Sequence, residues 1–157
     1  MRVYIESSVI SYMVARPSRD IVVLGHQQVT QEWWKKSLPW FEACVSPIVI
    51  EEVSAGDKTL SKRRLELVRP FTMLQLTDQA ELLVGSYIRG GFLPEKALRD
   101  ALHIAIAAVH EIEYLVTWNC RHIANGEIIR MISRIHLREG HAMPTICTPE
   151  ELFRVRR

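Results

Sequence analysis

Two rhythms of apolar and polar positions alternate along the chain. Short apolar runs of strand length ("RVYI", "FEACVS", "FTMLQL", "EYLVTW" and "PTIC") are separated by longer stretches with helical spacing. The first strand is expected at about Arg2 to Ile5, with Ser7 or Ser8 capping a short helix that reaches Met13. After the turn "ARPSRD", helical spacing runs from Ile21 to about Ser37, and Pro39 ends it. Ser46 followed by Pro47 reads as an N-cap with proline in the first helical position, opening "IVIEEVSA", which stops at Gly56-Asp57. "KTLSKRRLELV" is an amphipathic, basic helix closed by Pro70, and Thr77 or Asp78 opens another that ends at Gly90-Gly91. "PEKALRDALHIAIAAVHEI" is the strongest helical stretch, entered through Pro94 and rich in alanine and leucine. "NCRHIANGE" is a loop leading into a helix that ends near Glu139. "TPEELF" carries a capping-box pattern, with Thr148 at the cap and Glu151 at the third position.

Strands alternating with helices define an α/β fold with a central, mainly parallel sheet of about five strands flanked by helices. A single domain over residues 1–157 is the simplest expectation for this length. "EYLVTW" is mostly apolar, so that strand is expected to be buried on both faces. In such sheets, ligands gather outside the carboxyl ends of the strands, where the strand order reverses. Polar residues that immediately follow a strand therefore carry the most weight.

Composition narrows the class only a little. The chain is 48% hydrophobic and 24% charged, ordinary for a globular protein, and its net charge of +2 permits an acidic partner without requiring one. Three widely spaced cysteines, Cys44, Cys120 and Cys147, argue against a disulfide framework and for a reducing compartment. The first apolar run is too short for a signal peptide, and no window reaches the length of a membrane span. A cytoplasmic protein without membrane contact is expected.

Four polar residues stand out by position. Glu6 closes the first strand and Asn119 closes the fourth, in "LVTWN". Glu51 or Glu52 follows the second strand in "SPIVIEEVSAG", and Asp100 interrupts the apolar "KALRDALHIAIAAV". A carboxylate in so apolar a helix needs a partner: Arg99, Lys96 or His103, solvent, or a cation. Carboxylates gathered in one cleft repel one another, and a hard divalent cation with oxygen ligands relieves that repulsion. Such a cation can activate a water and stabilise a phosphodiester transition state. Cys120 and His122 lack a second Cys/His pair at zinc spacing. His103 lies one turn from Asp100, in reach to orient it. Lys58, Lys62, Arg63 and Arg64 form either a solvated helix face or a track for a phosphate backbone. Trp33 and Trp34 suit the core or a partner surface.

The order of these motifs resembles that of PIN-domain proteins, of the kind represented by VapC-family toxins of prokaryotic toxin–antitoxin pairs. The pattern runs from the acid after the first strand through "SPIVIEEVSAG" and "DALHIAIAA" to "LVTWN", and covers nearly the whole chain from Val3 to "PTICTPEEL". The resemblance implies a three-layer PIN-like domain and a Mg2+- or Mn2+-dependent endoribonuclease. Its catalytic residues would be Glu6, Glu52, Asp100 and Asn119, with Glu6, Glu52 and Asp100 on the metal. Helical phase agrees with Glu52, since Ile48, Glu52 and Ala55 share a face. Thr117, Ser7 and Arg16 are the expected substrate contacts. An RNA substrate, a cognate antitoxin and a homodimer are the implied partners. Two positions depart from the family pattern. Glu6 stands where Asp is usual, and "NCRHIAN" offers Cys120 and His122 where a further acid often follows. These departures motivate the alternative of a catalytically weak or inactive PIN-like module that acts by binding RNA or protein.

Overall fold

The computed structural model describes residues 1–91 and 93–153. Five parallel strands form one sheet in the order β3-β2-β1-β4-β5. They are β1 (Arg2–Ile5), β2 (Glu42–Val45), β3 (Thr72–Met73), β4 (Tyr114–Val116) and β5 (Thr145–Cys147). The helices are α1 (Ser7–Val14), α2 (Ile21–Lys36), α3 (Pro47–Ser54), α4 (Lys58–Val68), α5 (Asp78–Arg89), α6 (Leu98–Val109) and α7 (Gly126–Glu139). The chain winds outward from β1 through β2 to β3, then returns to the other side of β1 with β4. The strand order therefore reverses between β1 and β4. There Ile5 pairs with Val116, so the residues that follow, Glu6 and Thr117, leave the sheet side by side.

The central strands explain the core. Val3, Tyr4, Ile5, Leu115 and Val116 are fully buried, as are Ile104, Ala105 and Ile106 of α6. Trp33 is also fully buried and donates its indole N–H to the Leu152 carbonyl at 3.0 Å, which ties α2 to the chain after β5. No helix among the described residues is long and apolar enough to cross a membrane.

Several local expectations shift, each for a physical reason. Glu6 itself caps α1, its carboxylate accepting the Ser8 amide, so neither serine is the cap. The expected strand "FTMLQL" shrinks to Thr72–Met73, both exposed at the sheet edge, with one further bond from the Leu74 amide to the Val45 carbonyl at 2.8 Å. A short edge strand offers little backbone for unwanted pairing. The long helix after Pro94 begins with a 3-10 turn, Glu95–Ala97, and becomes α-helical only at Leu98. Asp100 therefore lies in the first turn of α6, where the positive end of the helix dipole favours a carboxylate. "TPEELF" forms a turn through Leu152 rather than a helix, although Glu151 makes the expected return contact to the Thr148 amide at 2.8 Å.

Candidate active site

Glu6 sits at the strand-order reversal with only 5% of its surface exposed. Its carboxylate accepts four hydrogen bonds, the capacity of an ionised carboxyl group. Oε1 takes the Ser7 hydroxyl at 2.7 Å and the Ser8 amide at 3.1 Å. Oε2 takes the Thr117 hydroxyl at 2.6 Å and the Ser8 hydroxyl at short range. Thr117 in turn accepts the Asn119 amide at 2.9 Å. The residues after β1 and β4 are thus joined at the sheet's carboxyl edge.

Glu52 reaches the same place from α3. Its Oε2 lies 3.1 Å from Nε2 of His103 on α6, a ring that is wholly buried. The ring's Nδ1 lies 2.7 Å from the Tyr4 hydroxyl, and that hydroxyl lies 2.7 Å from Ser46 Oγ. An ionised Glu52 only accepts, so Nε2 carries the hydrogen and Nδ1 accepts from Tyr4. Tyr4 then accepts from Ser46, whose oxygen also takes the Val49 amide at 3.4 Å. One directed chain of hydrogen bonds therefore runs from the cap of α3 through β1 and α6 back to Glu52. Burial holds the Tyr4 phenol well above its ordinary pKa, so it stays protonated. Burial alone would raise Glu52, but the hydrogen bond from His103, with Ser7 and Arg99, outweighs it and holds the carboxyl below its usual range. The ligand atoms of Glu6, Glu52 and His103 all lie within 4.8 Å of one another.

Asp100 belongs to a second group. Its Oδ1 accepts the Asn119 side-chain amide at 2.9 Å, and its Oδ2 lies 2.8 Å from Nδ1 of His122. Asn119 Oδ1 accepts the His122 backbone amide at 3.1 Å. The expected set of Glu6, Glu52, Asp100 and Asn119 is therefore arranged as two neighbouring clusters, linked through Thr117. None of Arg99, Lys96 or His103 is Asp100's partner. Arg99 pairs instead with exposed Glu51 at 2.9 Å, which leaves Glu52 as the inward acid of that pair. His103 holds Glu52 rather than Asp100.

The remaining expected contacts divide. Ser7 and Thr117 touch Glu6 directly. Arg16 does not join them. It lies beyond the far end of α1, about 12 Å along a helix of eight residues, where it lines a cleft with Gln31 and Arg63. Arg64 is occupied by the Val53 and Ala55 carbonyls at 2.9 and 2.5 Å, closing the end of α3. Cys120 is exposed, but partial desolvation and the charge of Glu151 push its thiol up, away from a reactive thiolate. Beside the clusters, a cleft of about 560 Å³ is lined by Trp118, His26, Cys120 and Ile129 among others. Trp118 and His26 stack there at 4.0 Å.

Sequence reasoning missed three participants. Tyr4 read only as strand core, Ser46 only as a cap, and His122 as half of an incomplete zinc motif and as a departure from the family pattern, with no partner assigned. The continuous apolar run that buries β1 on both faces gives no hint of a hydroxyl partner for Tyr4. That partner depends on helices that return from distant parts of the chain.

A parallel α/β sheet with acidic residues at its reversal point describes the class. Its particular form is recognisable by comparison. The fold is similar to that of VapBC2 from Rickettsia felis, solved bound to a DNA fragment from their promoter, with a TM-score of 0.60 over 94% of this chain and 98% of that one at 13% identity. The chain has a VapC-like PIN fold. No protein-family model and no curated protein matches the sequence.

Proposed function

We propose that this protein is a divalent-metal-dependent endoribonuclease that hydrolyses RNA phosphodiester bonds, and that it acts as the toxin of a toxin–antitoxin pair. The observation that carries this reading is the convergence of Glu6 and Glu52 at the strand-order reversal of a VapC-like PIN fold. The donor set fits a hard cation. Two carboxylates stand within 4.8 Å, one of them held low in pKa, and the only basic side chain in their group is His103. Glu6 and Glu52 would hold Mg2+ or Mn2+, and Glu6 would do so by releasing one of its hydroxyl donors. When bound, the cation would supply an acidified water and neutralise charge on the phosphate. His103, backed by Tyr4, fixes the rotamer of Glu52. Thr117, wholly buried, and Ser7, half-buried, fix Glu6, and of the two Ser7 is the one in reach of a phosphate. Asn119 holds the turn after β4. Trp118 offers an aromatic wall for a base.

The comparison structure is a VapBC pair, and a cognate antitoxin is the proposed partner here. An apolar cleft of about 560 Å³, lined by Ile50, Leu65, Val68, Phe71 and Met73, offers such a partner a seat. A homodimer in the cytoplasm completes the proposal. Leu82 and Leu137, 70% and 85% exposed, are apolar surface that self-association would cover.

The test is cleavage of a mixed RNA pool by purified, antitoxin-free protein with Mg2+, with Mn2+ and with a chelator, beside Glu52→Gln. Cleavage lost with both chelator and variant supports the reading, and cleavage indifferent to both overturns it. One observation favours the alternative of a binding module: protein donors already fill the Glu6 carboxylate. A calorimetric titration that finds no Mn2+ binding in the millimolar range would decide for that alternative.

A further inference from the structure

We propose, resting on the nuclease reading above, that the cleft beside Glu6 is a base-reading subsite. It takes a guanine of the RNA strand next to the cut linkage, with Trp118 as its platform and Glu151 as its reader.

The cleft is placed for a nucleotide. Its wall, Trp118, directly follows Thr117, the residue whose hydroxyl holds Glu6 at 2.6 Å. The Trp118 amide donates to Ser8 Oγ at 2.9 Å, and Ser8 donates to the Glu6 carboxylate. One serine therefore separates the wall from the carboxylate pair, so a strand with its phosphate at Glu6 lays a neighbouring base at the cleft. The volume of about 560 Å³ lies within the range of small-ligand clefts. Separate parts of the chain line it: His26 from α2, Trp118 from the turn after β4, Ile129 from α7, and Glu150 and Glu151 from the turn after β5.

The wall is built before any base arrives. The indole N–H donates to Thr30 Oγ1 at 2.7 Å, and Thr30, fully buried, donates to the His26 carbonyl at 2.7 Å. The His26 ring stacks on the indole with centroids 4.0 Å apart and planes at 15°. With its polar edge satisfied, the half-buried indole is locked in one orientation and keeps apolar surface for stacking. A base that stacks there has no side chain left to order.

The polar groups choose the base. Among the described residues that line the cleft, two are carboxylates and none is lysine or arginine. A phosphate is repelled, and the strand's backbone stays outside. Glu151 is the fixed acid of the two: its Oε2 accepts the Thr148 amide at 2.8 Å and the Thr148 hydroxyl at 3.0 Å. Its Oε1 has no hydrogen-bond partner among the described residues, and an ionised carboxylate only accepts. It therefore selects a base edge made of N–H donors. Guanine sets two side by side, N1–H and the N2 amine. Adenine and cytosine offer one amine beside an acceptor nitrogen. Uracil offers one N–H between two carbonyls, which a carboxylate repels.

The test reads binding apart from cleavage. Short fluorescein-labelled oligouridylates whose central base is G, A, C or U are titrated with the full chain in the presence of a chelator, and anisotropy is followed. The guanosine probe should bind at least about 10-fold more tightly than the uridine probe, the scale of one two-point base contact. Glu151→Gln keeps the contact to Thr148, since glutamine serves the same capping position, yet turns an amide donor toward the base. The guanosine preference should then fall to about two-fold or less. Trp118→Leu should weaken all four probes by about 10-fold. If that variant melts early, Gly126→Leu replaces it. Gly126 lines the cleft and a Cβ there meets no atom within 4 Å, so the longer side chain fills open space and should weaken the guanosine probe in the same way. Equal binding of the four probes, no binding of the guanosine probe, or a guanosine preference that Glu151→Gln leaves intact would overturn the proposal. Cut sites mapped in the RNA pool separate it from the nuclease reading. Sites beside guanosine support both. Sites without regard to guanosine leave the nuclease standing and overturn the subsite. Guanosine-selective binding by a protein that cuts no RNA supports the subsite and overturns the nuclease reading.

Discussion

Tyr4→Phe tests the directed hydrogen-bond chain that ends on Glu52. The hydroxyl is fully buried and makes two contacts of 2.7 Å, to Ser46 Oγ and to His103 Nδ1. Removing it leaves the Ser46 hydroxyl hydrogen without an acceptor and His103 Nδ1 without a donor, both out of water. Each lost buried bond is worth about 1–1.5 kcal/mol net, and unpaired interior groups raise the penalty. Phenylalanine offsets part of this because no phenol has to be desolvated. The balance is a loss of about 2 kcal/mol. With a urea m-value of about 2 kcal/mol per molar, the unfolding midpoint should fall by about 1 M with m unchanged. Function should respond as well, because His103 then holds Glu52 less firmly. Loss of such a supporting contact lowers metal affinity by about 10-fold, read by calorimetric titration with Mn2+. Tyr114→Phe is the control: that ring packs edge-on against Phe41 and should change stability by less than about 0.5 kcal/mol. A midpoint for Tyr4→Phe that matches the control would refute the chain.

Three further outcomes are expected. Glu52→Gln should weaken Mn2+ binding by at least about 10-fold, whereas Glu51→Gln, which loses only an exposed pair with Arg99, should leave it unchanged in the same titration. Arg64→Ala removes two bonds to the carbonyls closing α3 and should lower stability by about 1–2 kcal/mol by urea unfolding; a loss of RNA binding at unchanged stability would show the basic helix acting on the substrate instead. His136 packs against Tyr87 with its Nε2 2.5 Å from the phenol, and burial holds its pKa below the ordinary value despite the opposing Ala142 carbonyl. The unfolded chain therefore binds a proton that the folded chain refuses. Stability should fall as pH drops below about 6.5, by up to about 1.4 kcal/mol per pH unit until the folded pKa is reached. His136→Gln should flatten the difference between urea midpoints at pH 7.5 and 5.5.

The parts of this structure that were legible in the sequence are those set by local rules. Strand order aside, β1, β2, β4 and β5 and most helix bounds follow from apolar runs and from Ser46, Thr77 and Pro47 at their starts. The choice of Glu52 over Glu51 came from the family resemblance, with helical phase in agreement, since Ile48, Glu52 and Ala55 share a face. What failed was set by competition or by distance. Capping rules favour serine, but at the end of β1 a glutamate is long enough to fold back onto the Ser8 amide, and both serines become its donors. Arg16 is near Glu6 in number, yet α1 carries it away. The pairing of Asp100 was hidden for a subtler reason. Read as one continuous helix from Pro94, α6 puts Asp100 in its interior, where lysine, arginine or histidine one turn away is the natural partner. The 3-10 turn at Glu95–Ala97 delays the helix and leaves Asp100 in the first turn of α6, within reach of the turn that follows β4. There it meets a histidine 22 positions further along the chain. The departure from the family pattern, a histidine where an acid often follows, thus gains a physical sense only in three dimensions. Asp100 holds that imidazole directly, with Oδ2 2.8 Å from Nδ1 of His122.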